Sequence, residues 1–409
     1  MTLKISYNRS LMRNNTLALQ STAEYFCEVK NTTDLREALT FARSKNLAIT
    51  VLGAGSNVVL KSNLFGLVVI INFKGIRHSI DGNDVVLSVA AGENWSSLVK
   101  YALRNNWYGI ENLVQIPGSV GAAPIQNIGA YGVELSDVFV SLDAMDIRTG
   151  EINSLSHELC GFGYRDSIFK RKRKKKYIIL EIKIKLSLTA NVQCDYPLLS
   201  EALKMDSQKS TGLITPHRVA RTISDIRRRK LPDPSIIANV GSFFKNPVLK
   251  SDSVSRFLEC YPLAPVFEIN GAEYKVAAGW LIEKCGLKGF RSGNVGMSSE
   301  QALVLVNYGN ASSRELLQFS ESVRQQVLSV FGISLELEPI KRNVYCGSIG
   351  YINADATMDT NIAIRTVLAD GQNLHCWGGG GITADSDPTT EYQESLSKII
   401  TLLKIIENL

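Results

Sequence analysis

The chain has 409 residues, 45% hydrophobic and 21% charged, a globular composition with enough apolar material for several cores. It contains no run of about 18 apolar residues and Met1–Leu11 has no signal-peptide core, so neither a membrane span nor export is expected, and the protein should work in the cytoplasm. The formal charge of +6 comes from the cationic run Lys170–Lys176, without which the chain is nearly neutral; the run reads as a solvated loop tip, with anion steering toward a nearby site as the alternative, and no nucleic-acid or membrane partner is implied.

In chain order, Asp34–Lys45 carries Leu35, Ala38, Leu39 and Ala42 at helical spacing, with Asp34 as the expected N-cap. A strand over Ala48–Leu52, the loop Gly53–Asn57, a short strand Val58–Leu60 and an apolar strand Leu67–Ile71 follow. Asp84–Ala90 leads into Gly92–Trp95, which opens a helix through Tyr101. In Ile178–Leu188 alternate residues are apolar, as in a strand buried on one face. Pro216–Lys230 is a helix with a dense polar face, stopped by Leu231-Pro232-Asp233-Pro234, where the two prolines mark a hinge. A helix over Ser313–Val330 closes the next mixed segment. The seven cysteines and four histidines show no disulfide or ligand spacing, so reduced core thiols and no metal are expected.

Two small-residue segments carry the chemistry. Gly53-Ala54-Gly55-Ser56-Asn57, directly after a strand, lacks Cβ atoms where backbone N–H groups would converge on an anion, and Ser56 and Asn57 add side-chain donors. Its spacing matches neither the P-loop nor the dinucleotide fingerprint. The second segment, Ile116–Gly132, is almost uncharged and too glycine-rich for a regular helix or strand. It suits backbone packed against a large flat ligand, with N–H groups of Gly118, Ser119, Gly121, Ala122, Gln126, Asn127, Gly129 and Ala130 available to phosphates. Loops of this kind about 65 residues apart would embrace an extended dinucleotide from both ends.

Together with GENW, FGYRDSIFK, RRRKLPDP, VGSFFKNP, AAGWLIEKCGLKG and QALVLVN, which follow in order, these segments resemble the UDP-N-acetylenolpyruvoylglucosamine reductases over about residues 15–338. The resemblance implies an α+β flavoenzyme with a vanillyl-alcohol-oxidase-like FAD-binding fold. Two FAD-binding subdomains would lie near 1–73 and 74–231, and a substrate-binding domain near 232–336. The implied reaction uses FAD and NADPH to reduce an enolpyruvyl ether on a UDP-sugar in peptidoglycan precursor synthesis, and a monomer is expected. Hydride addition beside a carboxylate drives negative charge onto that carboxylate, so fixed positive charge and a proton donor are required. By the resemblance Arg165 stabilises the enolate and Ser242 gives the proton. Tyr164, Tyr196, Lys230 and Asn246 contact substrate, and Arg227 contacts flavin.

The last catalytic position, a glutamate in the family, is ambiguous. An ungapped count from Phe331 gives Glu338, the preferred residue; alignment on Leu-Glu-Pro gives Ile340. From Leu337 the text instead resembles the C-terminus of chorismate-utilising enzymes (ELEPIKRNVYCGSIGY, MDTNIAIRT, GGGGITADSDP, EYQESLSK), with Glu391 and Glu394 in its magnesium and chorismate positions. About 70 residues are only a fraction of such an enzyme, so 337–409 reads as an appendage without chorismate activity, closing in a helix over Thr390–Glu407. Two alternatives remain: an inactive flavin- or UDP-sugar-binding protein with a replaced catalytic end, and a vestigial chorismate-binding fragment.

Overall fold

The computed structural model describes residues 3–60, 63–171, 176–207 and 213–341, and beyond these 348–352, 358–362, 367–370, 373–376 and Gln393. The chain divides into two compact units, Met1–Lys341 and Arg342–Leu409. In the second, the described residues form two antiparallel hairpins, Ser348–Ile352 with Met358–Ile362 and Val367–Asp370 with Asn373–Cys376. Residues 363–366, Glu391, Glu394 and most of the helix expected over Thr390–Glu407 lie outside the described residues.

In the first unit, a four-stranded sheet takes the order Ile5–Ser10, Thr22–Val29, Asn63–Ile71, Ile49–Leu52, the last two junctions parallel. Thr32–Ser44 supplies the crossover helix; Leu35, Ala38, Leu39 and Ala42 are buried along one face. Its N-cap is Asn31, whose carboxamide oxygen accepts from Asp34 N at 2.9 Å. Asp34 instead lies in the first turn, where its charge suits the N-terminal end of the helix dipole. A five-stranded antiparallel sheet follows, ordered Ile152–Ser156, Phe139–Asp146, Tyr177–Ser187, Asp84–Ala90, Ile76–Asp81. Its central strand buries Ile178, Leu180, Ile182, Ile184 and Leu186, the alternation expected, whereas Leu188 falls past the strand end and is exposed. These two sheets share one apolar core. A second core lies between the sheet Ala238–Ser242, Val304–Asn307, Val295–Met297, Arg291–Ser292 and the helices Ala278–Lys284 and Ser313–Phe331. Among the described cysteines Cys27 and Cys160 are buried, but Cys260 is exposed rather than a core thiol.

Pro216–Lys230 is a helix over the predicted span, with Pro216 in its first turn and Thr215 as N-cap. Ile116–Gly132 becomes a short 3-10 helix, Val120–Gln126, and a two-residue hairpin, Gly129–Ala130 with Val133–Glu134. The last strand of the first unit, Ile340–Lys341, pairs in parallel with Val58–Val59, immediately after the Gly53–Asn57 loop.

Candidate active site

The two glycine-rich segments touch. A Cβ on Gly53 would overlap Ser119 Oγ, and one on Gly118 would stand 3.1 Å from Ser56 Oγ. Asn57 Nδ2 donates to Gln126 Oε1 at 2.5 Å, fastening one loop to the other. Gly55 has φ +64, and any side chain there would run into the Asn14 carbonyl; only glycine fits. Thr16 joins this cradle to the second core: its N–H donates to Gly55 O at 3.1 Å and its carbonyl accepts from Asn239 N at 2.9 Å.

Arg165 sits in a tight turn in which Gly163 and Asp166 exchange both backbone hydrogen bonds at 3.1 Å. Its φ of +52 is the left-handed region, a conformation costing an arginine about 1–3 kcal/mol. Every edge of the guanidinium has an acceptor. NH2 donates to Gly129 O at 2.6 Å, NH1 stands 3.7 Å from Glu134, and Nε stands 3.2 Å from Glu338 Oε1. Tyr164 lies beneath, with the Arg165 guanidinium 5.3 Å and the Lys275 ammonium 4.1 Å from its ring centre.

Glu338 is delivered by a backbone clasp. Lys245 N donates to Glu336 O at 2.9 Å and Glu338 N to Phe243 O at 3.0 Å, which ties the segment to the chain just after Ser242. Ser242 ends its strand opposite Val304, after Gly241 at φ +72. Burial pushes the Glu338 carboxyl above the usual carboxylate range, opposed first by Arg165 and then by Lys170 and Lys245. Burial raises Glu134 as well, opposed by Arg165 and Lys275. The centre is thus a chain of alternating charge in which one guanidinium serves two carboxylates and each carboxylate has a further ammonium nearby.

A cavity of about 740 Å³ joins these parts, within the roughly 300–1,000 Å³ of small-molecule sites. Ser56, Asn57, Gln126 and Gly129 line it from the cradle side, and Arg227 from the long helix. Arg165, Ser242 and Glu338 also line it, so three residues far apart in sequence open onto one space. The lining suits a flavin dinucleotide: the Ser56 and Gln126 side chains, an unpartnered buried acceptor at Asn57 Oδ1, and the Arg227 guanidinium; Gly53 and Gly55 shape the loop by packing against Ser119 and Asn14.

Other expected residues stand elsewhere. Lys230, the last residue of its helix, is exposed and does not line the cavity; the neighbouring Arg228 and Arg229, also exposed, do. Asn127 is buried at φ +45 and directs its carboxamide to Glu134, Ser136 and Gly163 O, bracing the Arg165 turn instead of facing the cavity. Gly121 is a packing glycine: a Cβ would meet Ala91 Cβ at 2.5 Å. Ala54 and Ala122 are exposed and, like Ala130, stand outside the cavity lining. Asn246 accepts from Ala278 N at 3.0 Å, at the start of the helix Ala278–Lys284, and its N–H bonds the Tyr164 hydroxyl. Tyr196 stacks on Phe267 with ring centres 6.4 Å apart and meets Tyr131, which is hydrogen-bonded to Arg227. Glu134, Lys275 and Thr16 were not signalled by the sequence; Glu134 sits at the edge of the glycine-rich segment, where a lone acid reads as a loop residue.

The match of residues 23–156 to the FAD binding domain, with this cradle and cavity, defines an FAD-dependent oxidoreductase. Residues 233–341 match the C-terminal domain of UDP-N-acetylenolpyruvoylglucosamine reductase. The enzymes of that name from Chromobacterium violaceum and Pseudomonas aeruginosa are each 40% identical over 83% of this chain and 99% of their own length. The chain belongs to the UDP-N-acetylenolpyruvoylglucosamine reductase family. The crystal structure of the Thermus caldophilus reductase, 23% identical, superposes with a TM-score of 0.57 over 84% of this chain and 100% of its own, a likeness of fold. Residues 333–404 match a chorismate binding enzyme, overlapping the reductase match by the stretch that carries Glu338. Among the described residues no helix is long and apolar enough to cross a membrane, and no cluster of acidic, cysteine and histidine side chains is placed to hold a metal.

Proposed function

We propose that the chain reduces the enolpyruvyl ether of UDP-N-acetylglucosamine to the lactyl ether, UDP-N-acetylmuramate, with NADPH as reductant, as a cytoplasmic monomer in peptidoglycan precursor synthesis. Ser56, Asn57, Gln126 and Arg227 would hold FAD, which when bound would supply hydride-transfer chemistry between NADPH and C3 of the enolpyruvyl group. Arg165 binds the substrate carboxylate and stabilises the charge that develops on it, which a planar two-pronged cation does better than an ammonium. Its competing acceptors Glu134 and Glu338 keep the guanidinium aimed before substrate arrives. Ser242 gives the proton to C2, the surrounding ammonium groups stabilise the alkoxide, and Glu338 in its protonated form restores the proton. Tyr164, Tyr196 and Asn246 orient the sugar nucleotide.

The observation that carries the reading is the convergence of Arg165, Ser242 and Glu338 on the cavity that the flavin cradle opens into. The test is product analysis: incubation with NADPH and the UDP-linked enolpyruvyl ether in deuterated water should yield a product heavier by two hydrogens, one of them solvent deuterium at C2. Recovery of unchanged ether from an FAD-loaded protein overturns the reading.

A further inference from the structure

The basic run reads from sequence as a solvated tip, but its first two residues are built into the active-site turn. Lys170 is half-buried, and its Nζ donates to the carbonyl of Arg165 at 2.9 Å. Arg171 Nε holds Asp166 Oδ2 at 2.9 Å. The turn is also pinned without Lys170: Gly163 and Asp166 bond reciprocally, and Ser167 Oγ donates to Ile125 O at 2.7 Å. Its folding is therefore over-determined, and the ammonium of Lys170 adds something different. It clamps the carbonyl of a residue held in the left-handed region, fixing the backbone torsion from which the guanidinium reaches Glu338. Its charge also acts on the Glu338 carboxylate, so Arg165 is not the sole counter-charge of that acid.

We propose that Lys170 is a positioning residue of the reductase: it locks the Arg165 backbone and shares the neutralisation of Glu338, leaving the guanidinium available to an incoming substrate carboxylate. The inference rests on the reductase reading above. It predicts a selective defect, because NADPH oxidation by the flavin does not draw on the carboxylate clamp, whereas reduction of the enolpyruvyl ether does.

The experiment is stopped-flow kinetics on FAD-loaded wild type, Lys170→Met and Lys170→Arg. Flavin bleaching by NADPH should proceed at the wild-type rate in all three. Reoxidation by the UDP-linked enolpyruvyl ether should slow about 10- to 100-fold in Lys170→Met, the scale of an ångström-level misplacement, and recover in Lys170→Arg, which keeps both charge and donor. Reoxidation within about threefold of wild type in Lys170→Met, or equal slowing of both half-reactions, overturns the inference while leaving the reductase reading intact. A wild-type enzyme that the ether does not reoxidise overturns both. Should Lys170→Met fail to fold, Lys170→Gln keeps a donor to the Arg165 carbonyl without the charge; reoxidation slowed about tenfold sustains the inference, and an unchanged rate overturns it.

Discussion

Glu338→Gln is nearly isosteric, so its consequences isolate the acid. In the resting protein the carboxylate stands 3.2 Å from Arg165 Nε and burial raises its affinity for a proton. The amide keeps the shape and an acceptor oxygen but neither holds a transferable proton nor offsets the guanidinium. A positioned acid contributes about 10²–10⁴ in rate, which is roughly 3–5 kcal/mol of barrier at 1.36 kcal/mol per decade. Arg165 retains Glu134 and the Gly129 carbonyl, so it is not stranded, and the fold should lose no more than about 1 kcal/mol. Steady-state turnover with saturating NADPH should therefore fall by that factor while the melting temperature and the FAD content stay near wild type. Unchanged turnover would refute the reasoning and move the catalytic position off Glu338. A collapse in FAD content or melting temperature would instead assign the residue a structural role.

Arg165→Ala leaves Glu134 and Glu338 without their shared cation, a deletion worth roughly 3 kcal/mol for a buried pair, lessened by Lys170, Lys245 and Lys275. Both carboxyls are already raised by burial and rise further once Arg165 is gone, so the folded variant binds protons more tightly than the unfolded chain. The loss should be largest at neutral pH and shrink on acidification towards the carboxylate range; denaturant titrations across pH that show a constant difference contradict this. Gly55→Ala forces a Cβ into the Asn14 carbonyl at φ +64 and should cost FAD affinity and at least about 1 kcal/mol of stability, checked by flavin titration and thermal melting. Termination after Lys341 should leave reductase turnover intact, because the backbone clasp and the Ile340–Lys341 pairing are retained; termination after Glu336 removes Glu338 and that pairing and should abolish it.

The elements most legible in the sequence were those fixed by local chemistry. Pro216 and the Leu231–Pro234 stop bracket the long helix, and the alternation from Ile178 to Leu186 reads directly as a strand buried on one face. Motif resemblance supplied the candidate residues, but not their geometry. Arg165 and Glu338 meet only because Glu338 is laced to the Phe243 carbonyl, a long-range backbone contact without sequence signature. Asn127 sits within a segment read as cofactor-binding, yet a left-handed backbone turns it towards Glu134. Lys230 follows three cavity-lining arginines, Arg227 to Arg229, yet is itself exposed and off the lining. Lys170 was hidden by its neighbours: a run of cations looks uniformly solvated until one of them is found against a strained carbonyl.

The junction with the chorismate-enzyme-like segment has a physical reading. The matches overlap across residues 333–341, and the compact first unit ends at Lys341. The overlap thus contains both the acid and the strand that seats it beside Val58–Val59. A tail joined there leaves the last reductase element in place.

The most direct measurement is anaerobic flavin spectroscopy of the purified chain. Converging cradles should retain FAD in a one-to-one ratio and give a yellow protein; NADPH should bleach it, and one equivalent of the UDP-linked enolpyruvyl ether should restore the colour. A folded, colourless protein that takes up no added FAD, or a reduced flavin that the ether leaves bleached, would contradict the account.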